Sequence, residues 1–206
     1  KKKSETRKKI QDISGELLEL YSSRQKATGT PYKDYDEELS FALNFPFTLT
    51  DDQEKTIKEI DFDLKSPAPM DRLLCGDVGY GKTEVAFRAM FKTVINGFQV
   101  SYLCPTTILS RQQYTSAIER FKDFPIRIEL LNRHIPTKKV KKILEDLESG
   151  KIDIIIGTHK LLNDKINYKN LGLLVIDEEQ RFGVTHKEKI KKIQSKNHRI
   201  RCTISQ

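Results

Sequence analysis

From residue 70 onward, short apolar runs alternate with longer amphipathic stretches. Residues 72–75, 99–104, 126–131, 152–156 and 171–176 read as strands, and 82–95, 107–122 and 137–149 as the helices between them. Such alternation predicts an α/β fold in which a parallel sheet is sandwiched by helices. Ile154-Ile155-Ile156 and Leu173-Leu174-Val175-Ile176 are apolar without interruption, as expected of strands buried on both faces. No internal repeat breaks the pattern.

Upstream the periodicity changes. Over residues 1–26, Ile10, Ile13, Leu17, Leu20 and Tyr21 recur at three- and four-residue spacing between charges, which predicts an amphipathic helix stopped by Thr28-Gly29-Thr30-Pro31. Residues 31–47 carry Tyr32, Tyr35, Phe41, Phe45 and Phe47, for which core packing is the simplest role. Thr50, followed three residues later by Gln53, has the form of a capping box and predicts a helix start. Ser66-Pro67-Ala68-Pro69 is a loop. The expected division is a helical extension and aromatic connector over 1–44, then an α/β lobe over 45–206.

Composition adds a bias. The chain has 206 residues, enough for one domain and an appendage, and a net charge of +8. A polyanionic partner is favoured, but only weakly, because residues 1–26 with eight basic and four acidic side chains hold half of the excess. Cys75, Cys104 and Cys202 form no C-x-x-C pair, and the expectation is small buried hydrophobes in a reducing compartment. His134, His159, His186 and His198 have no metal-ligand spacing and are expected at the surface or in loops. No signal peptide or long apolar span is visible, so a cytoplasmic location and no membrane are expected.

The chemistry sits in two places. Gly76-Asp77-Val78-Gly79-Tyr80-Gly81-Lys82-Thr83 matches G-x-x-x-x-G-K-[ST], which chance writes in roughly 1 % of chains this long. It lies between a strand-like run and a helix-like one, the order a phosphate-cradling loop requires. Glycines there let backbone N–H groups turn inward at a helix N-terminus, where anions are favoured. Lys82 would reach the β- and γ-phosphates and the Thr83 hydroxyl would ligate Mg²⁺. The second place is Asp177-Glu178-Glu179-Gln180, at the end of the apolar run 173–176. A carboxylate pair at a strand's C-terminal end is where an α/β sheet places chemistry. Asp177 suits the other ligand of that metal and Glu178 the polarisation of an attacking water.

These motifs resemble the first RecA-like lobe of superfamily-two helicases and translocases. Phe45-Pro46-Phe47-Thr48-Leu49-Thr50-Asp51-Asp52-Gln53 is similar to the adenine-recognising segment of RecG-like and Mfd-like proteins, which implies roles for Phe47 and Gln53 and ATP as the nucleotide. Met70-Asp71-Arg72-Leu73-Leu74-Cys75, the loop 76–83 and Glu84-Val85-Ala86 especially resemble the Mfd-like transcription-repair coupling factors. Gly15-Glu16-Leu17-Leu18-Glu19-Leu20-Tyr21 with Arg24 resembles their linker helix, and Asp177-Glu178-Glu179-Gln180-Arg181-Phe182-Gly183-Val184 fits both groups. Pro105-Thr106-Thr107-Ile108-Leu109, with Arg111, and Gly157-Thr158-His159 resemble segments that hold a DNA backbone. For these, helix capping by Thr107 and Thr158 is the alternative. Gln180 resembles the residue that senses the γ-phosphate.

The resemblance implies an ATP-dependent translocase lobe acting on double-stranded DNA in transcription-coupled repair. RNA polymerase and nucleotide-excision-repair proteins would be met by other domains of the full-length protein. It also implies a fragment: the chain begins with Lys1, the Ser/Thr-Ala-Thr-Pro segment expected after the strand beyond Arg199 is absent, and a second RecA-like lobe is missing. Since that lobe supplies arginine fingers worth roughly 10³–10⁵ in rate in related phosphoryl transfer, very slow turnover is expected of the isolated chain. The alternatives are a RecG-like branch-migration helicase lobe and an inert nucleotide- or DNA-binding fragment.

Overall fold

The computed structural model describes residues 30–205 apart from 69, 76–80 and 198–199. The helix expected over 1–26, Gly76, Asp77, Val78, Gly79, Tyr80 and His198 therefore lie outside the described residues.

Helices α1 (Glu37–Leu43) and α2 (Asp51–Lys65) precede the sheet. The lobe then runs β1 (Asp71–Cys75), α3 (Lys82–Ile95), β2 (Gln99–Leu103), α4 (Thr107–Phe121), β3 (Ile128–Leu131), α5 (Thr137–Glu148), β4 (Ile154–Gly157), β5 (Leu171–Asp177), α6 (Val184–Asn197) and β6 (Ile200–Ser205). Short 3₁₀ turns follow β4 at His159–Leu162 and β5 at Glu179–Arg181.

The described strands form one sheet in the order β1-β6-β5-β2-β4-β3, every adjacent pair parallel. With β5 fully buried, its residues alternate between two cores. Leu173 and Val175 join the face covered by α1 to α4, where Phe41, Met90, Phe91 and Phe121 are buried. Leu174 and Ile176 join the face covered by α5, α6 and the first 3₁₀ turn, with Ile143, Leu147, Leu161 and Ile190. This is the expected sandwich.

A further helix and a buried ion-pair cluster emerge. Helix α1 is short, yet Phe41 stacks on Phe91 with ring centroids 4.2 Å apart, and Tyr32 is buried in the same core. Lys92 of α3, 3 % exposed, pairs with Asp34 at 2.6 Å, Glu38 at 3.0 Å and Asp61 at 2.6 Å, tying the connector to α2 and α3. Neighbouring carboxylates hold its ammonium well above the usual lysine range despite its burial.

The expectation that all three cysteines are buried needs correction. Cys104 and Cys202 are buried, but Cys75 is exposed. Strand β1 lies at the sheet edge with only its Leu74 buried, so an apolar run there does not imply burial.

Candidate functional site

Parallel strands deliver their C-terminal ends to one edge of the sheet, so loops distant in sequence meet there. Asp177 ends β5 and is 6 % exposed. Burial first, then the neighbouring charge of Glu178, pushes its carboxyl up to about 6, while Lys82 and the Gln113 amide favour the ionised form. The lysine of the phosphate motif and the carboxylate 95 residues later thus share one electrostatic site.

Glu178 turns the chain out of the sheet. Its φ of 52° and ψ of 53° are left-handed, and it is the only non-glycine with positive φ among the described residues. Such a conformation costs roughly 1–2 kcal/mol in an L-residue, and persists where surrounding contacts hold it. Here its N–H donates to the Ile204 carbonyl at 2.8 Å, and its carbonyl accepts from the Arg181 N–H at 2.9 Å. The buried side chain accepts from Gln180 Nε2, and Arg181 Nε lies 3.9 Å from the same oxygen. Glu179 Oε2 accepts from the Thr203 hydroxyl at 3.3 Å, fastening the turn to β6.

Gly81 caps α3 with φ of 67°, which its missing Cβ permits, and Lys82 and Thr83 begin the helix. A Cβ at Gly81 would lie 2.3 Å from Gln53 Nε2, so the Gln53 amide rests against the end of the loop. The capping box predicted at Thr50 is present: the Thr50 N–H donates to Gln53 Oε1 at 3.0 Å, and the Gln53 N–H to the Thr50 hydroxyl at 3.3 Å. Gln53, Thr56, Arg72, Leu74, Cys75 and Lys82 line a cleft of about 580 Å³. Phe47 is 73 % exposed and meets the Phe45 ring edge-on at 5.5 Å.

The Thr83 hydroxyl and the Asp177 carboxylate would offer a metal oxygen donors, the kind that suits Mg²⁺. The surroundings fit a hydrated ion. The buried Tyr102 hydroxyl and Gln113 Oε1, both belonging to side chains that act on Asp177, have no hydrogen-bond partner.

Sequence reasoning missed Glu84. This first-turn residue of α3 is buried and grips Arg120 through two hydrogen bonds of 2.8 Å, and Arg88 through one of 2.9 Å. Arg120 also donates to the Phe41 carbonyl and lies 3.7 Å from that ring's centroid. The pair joins the start of the helix after the loop to the aromatic connector. A buried acid directly after Lys82-Thr83 was the signal, but its partner lies 36 residues away.

The two segments expected to face DNA end neighbouring strands. Leu103 pairs with Gly157, and the Cys104 N–H donates to the Gly157 carbonyl at 2.8 Å. Pro105, Thr106 and Thr107 are thereby brought beside Gly157, Thr158 and His159, with Arg111 exposed one turn along α4. The capping alternative is corrected in detail. Thr106, not Thr107, caps α4 by accepting from the Leu109 N–H at 3.2 Å, and Thr158, 2 % exposed, makes no side-chain cap bond. Gly157 also has a packing reason, since a Cβ there would lie 2.3 Å from the Leu131 carbonyl oxygen. His159 stacks on His186 with centroids 5.5 Å apart, and burial, then His186 and Lys160, lower its pKa.

The family model described as DEAD/DEAH box helicase matches residues 50–205. The transcription-repair-coupling factor of Staphylococcus haemolyticus is 55 % identical over 192 residues, covering 93 % of this chain and 16 % of the relative. That of Staphylococcus aureus is 54 % identical over the same shares. The chain thus spans 16 % of the length of these curated relatives. Among solved structures, RecG bound to a three-way DNA junction superimposes with a TM-score of 0.80 at 36 % identity, over 91 % of this chain and 25 % of that one. The DUF1998 helicase MrfA bound to DNA and AMPPNP gives 0.67 at 17 % identity, over 87 % and 27 %, which supports the fold alone. The fold is RecA-like. Among the described residues no helix is long and apolar enough to cross a membrane.

Proposed function

The chain belongs to the DEAD/DEAH box helicase family, and on that footing we propose that it is the ATP-binding motor lobe of a double-stranded-DNA translocase of the transcription-repair-coupling kind. The observation that carries this reading is the site at the end of β5. Asp177 stands within the field of Lys82 and is followed by the strained, buried Glu178, in a chain 54–55 % identical to transcription-repair-coupling factors.

Each residue then has a task. The loop 76–81 wraps the phosphates of ATP, Lys82 takes the β- and γ-phosphates, and Thr83 and Asp177 hold Mg²⁺. When bound there, Mg²⁺ would supply positive charge to the phosphates. Glu178 orients and deprotonates the attacking water, and the Gln180 amide holds the Glu178 carboxylate in place. Phe47 and Gln53 receive the adenine beside the loop. Pro105, Thr106, Thr107, Arg111 and His159 form a patch that contacts the DNA backbone without reading sequence, with the buried Gly157 and Thr158 holding it from behind.

Because the chain spans 16 % of its relatives, movement on DNA and release of stalled RNA polymerase belong to the longer protein, as do contacts with repair proteins. Lys82→Ala in the full-length protein is expected to abolish DNA-stimulated ATP hydrolysis, and unchanged hydrolysis would refute the assignment. A RecG-like branch-migration lobe is the second reading, favoured by the TM-score of 0.80. The higher identity to coupling factors outweighs it, and polymerase displacement against unwinding of branched DNA separates the two.

A further inference from the structure

Two polar atoms beside Asp177 lack what buried polar atoms normally have. The Tyr102 hydroxyl, on a β2 residue that is 0 % exposed, meets no hydrogen-bond partner, and neither does Gln113 Oε1. Both side chains act on one carboxylate. The Asp177 charge raises the Tyr102 pKa, second to burial, and Gln113 Nε2 lies 3.5 Å from Asp177 Oδ2, at the outer limit of an N–H···O bond. A glutamine with only a structural role would satisfy both ends of its amide. This one offers its donor loosely to a carboxylate and leaves its acceptor open.

Gln113 also has an informative position in the chain. It lies on α4, two residues after Arg111 and six after Thr107. At about 1.5 Å per residue that places it roughly 9 Å along one continuous helix from the turn capped by Thr106. A helix moves as a unit, so a shift at its N-terminal turn is felt at Asp177.

We propose that Gln113 is a positioning residue that couples DNA contact at the start of α4 to the Asp177 carboxylate, and so to the metal site. The proposal rests on the assignment of Asp177 as a metal ligand made above. Gln113 Nε2 donates to Asp177 Oδ2 and fixes the carboxylate's orientation. Gln113 Oε1 is free to accept a hydrogen bond from a water of the ion's hydration shell, which Mg²⁺ would retain because it dehydrates reluctantly. An amide is suited to this place, offering donor and acceptor without charge. Glutamate would repel Asp177 and leucine would serve neither partner. Such outer contacts typically carry 10- to 100-fold in metal affinity or activity.

The test uses the full-length protein carrying Gln113→Leu, Gln113→Glu or Asp177→Asn. Mn²⁺ affinity of the complex with a non-hydrolysable ATP analogue is read by electron paramagnetic resonance. DNA stimulation of ATPase and nucleotide affinity in EDTA are measured alongside. Gln113→Leu and Gln113→Glu are each expected to weaken Mn²⁺ binding about 10-fold and to lower the DNA stimulation ratio, with metal-free nucleotide affinity unchanged. If Asp177→Asn loses Mn²⁺ affinity while both Gln113 variants keep it together with full DNA stimulation, the coupling role is refuted and the ligand assignment stands. If Asp177→Asn itself keeps wild-type Mn²⁺ affinity, the ligand assignment falls and the proposal with it. Should Gln113→Leu fail to fold, Gln113→Glu, which preserves the side chain's shape, carries the test.

Discussion

Gly81→Ala probes the junction between the phosphate loop and the adenine segment. Alanine must adopt the φ of 67° that Gly81 holds, at roughly 1–2 kcal/mol. Its Cβ must also displace Gln53 Nε2, which lies 2.3 Å from that point. The amide is the flexible end of a side chain, so the steric part is relieved by rotation. Rotation, however, removes Gln53 Oε1 from the Thr50 N–H, at the cost of the side-chain half of the capping box, about 1 kcal/mol. The expected loss is about 2–3 kcal/mol, or roughly 4–12 °C in Tm for a chain of this size. In a Gln53→Ala background the same substitution meets no amide and retains only the backbone term. Thermal denaturation of the four proteins of this cycle should therefore give a coupling of about 1 kcal/mol between positions 53 and 81. If Gly81→Ala costs the same in both backgrounds, Gln53 does not brace the loop, and its placement beside the nucleotide loses its support.

Other consequences follow from buried charge and packing. Lys92→Met leaves Asp34, Glu38 and Asp61 around an apolar chain and should cost about 3–5 kcal/mol in urea denaturation; a neutral result would contradict the clamp. Phe41→Ala removes a ring that is 1 % exposed and should cost about 3–5 kcal/mol, whereas a loss below 1 kcal/mol would mean that α1 is not part of this core. Asp177 titrates at about 6 in the folded state against 3.8 ordinarily, so the folded protein holds a proton that the unfolded chain has released between those values. Its contribution is full below about pH 4 and is lost as pH rises through 6. Asp177→Asn should accordingly stabilise the lobe at pH 7.5 by on the order of 2–3 kcal/mol, shrinking toward zero near pH 4. A pH-independent difference in urea denaturation would refute the burial argument.

Much of this was legible in the chain because the physics was local or periodic. Helix α3 begins and ends where the pattern places it, at Lys82 and Ile95, and the Thr50–Gln53 box was readable from two residues three apart. Helix α1 was hidden because seven residues carry too few periods, and its stability comes from Phe91 and Lys92, some fifty residues on. Helix α6 was hidden by its lysines. The exposure of Cys75 follows from β1 being an edge strand, which only sheet order decides. At the candidate site, Lys82, Asp177 and Glu178 were singled out by residue type and spacing. The left-handed backbone at Glu178 was not, because the β6 carbonyl at Ile204 helps hold it. The Glu84–Arg120 pair and the Gln113 contact are likewise products of packing between helices and strands.

The role proposed for Glu178 is to activate water for hydrolysis of an ATP held by Lys82, Thr83 and Asp177. Its most direct test is Glu178→Gln in the full-length protein, with equilibrium binding of Mg·ATP and DNA-stimulated hydrolysis measured on the same preparation. Binding is expected within about 3-fold of wild type and hydrolysis reduced by at least about 10²-fold. Hydrolysis at the wild-type rate with binding intact would contradict it.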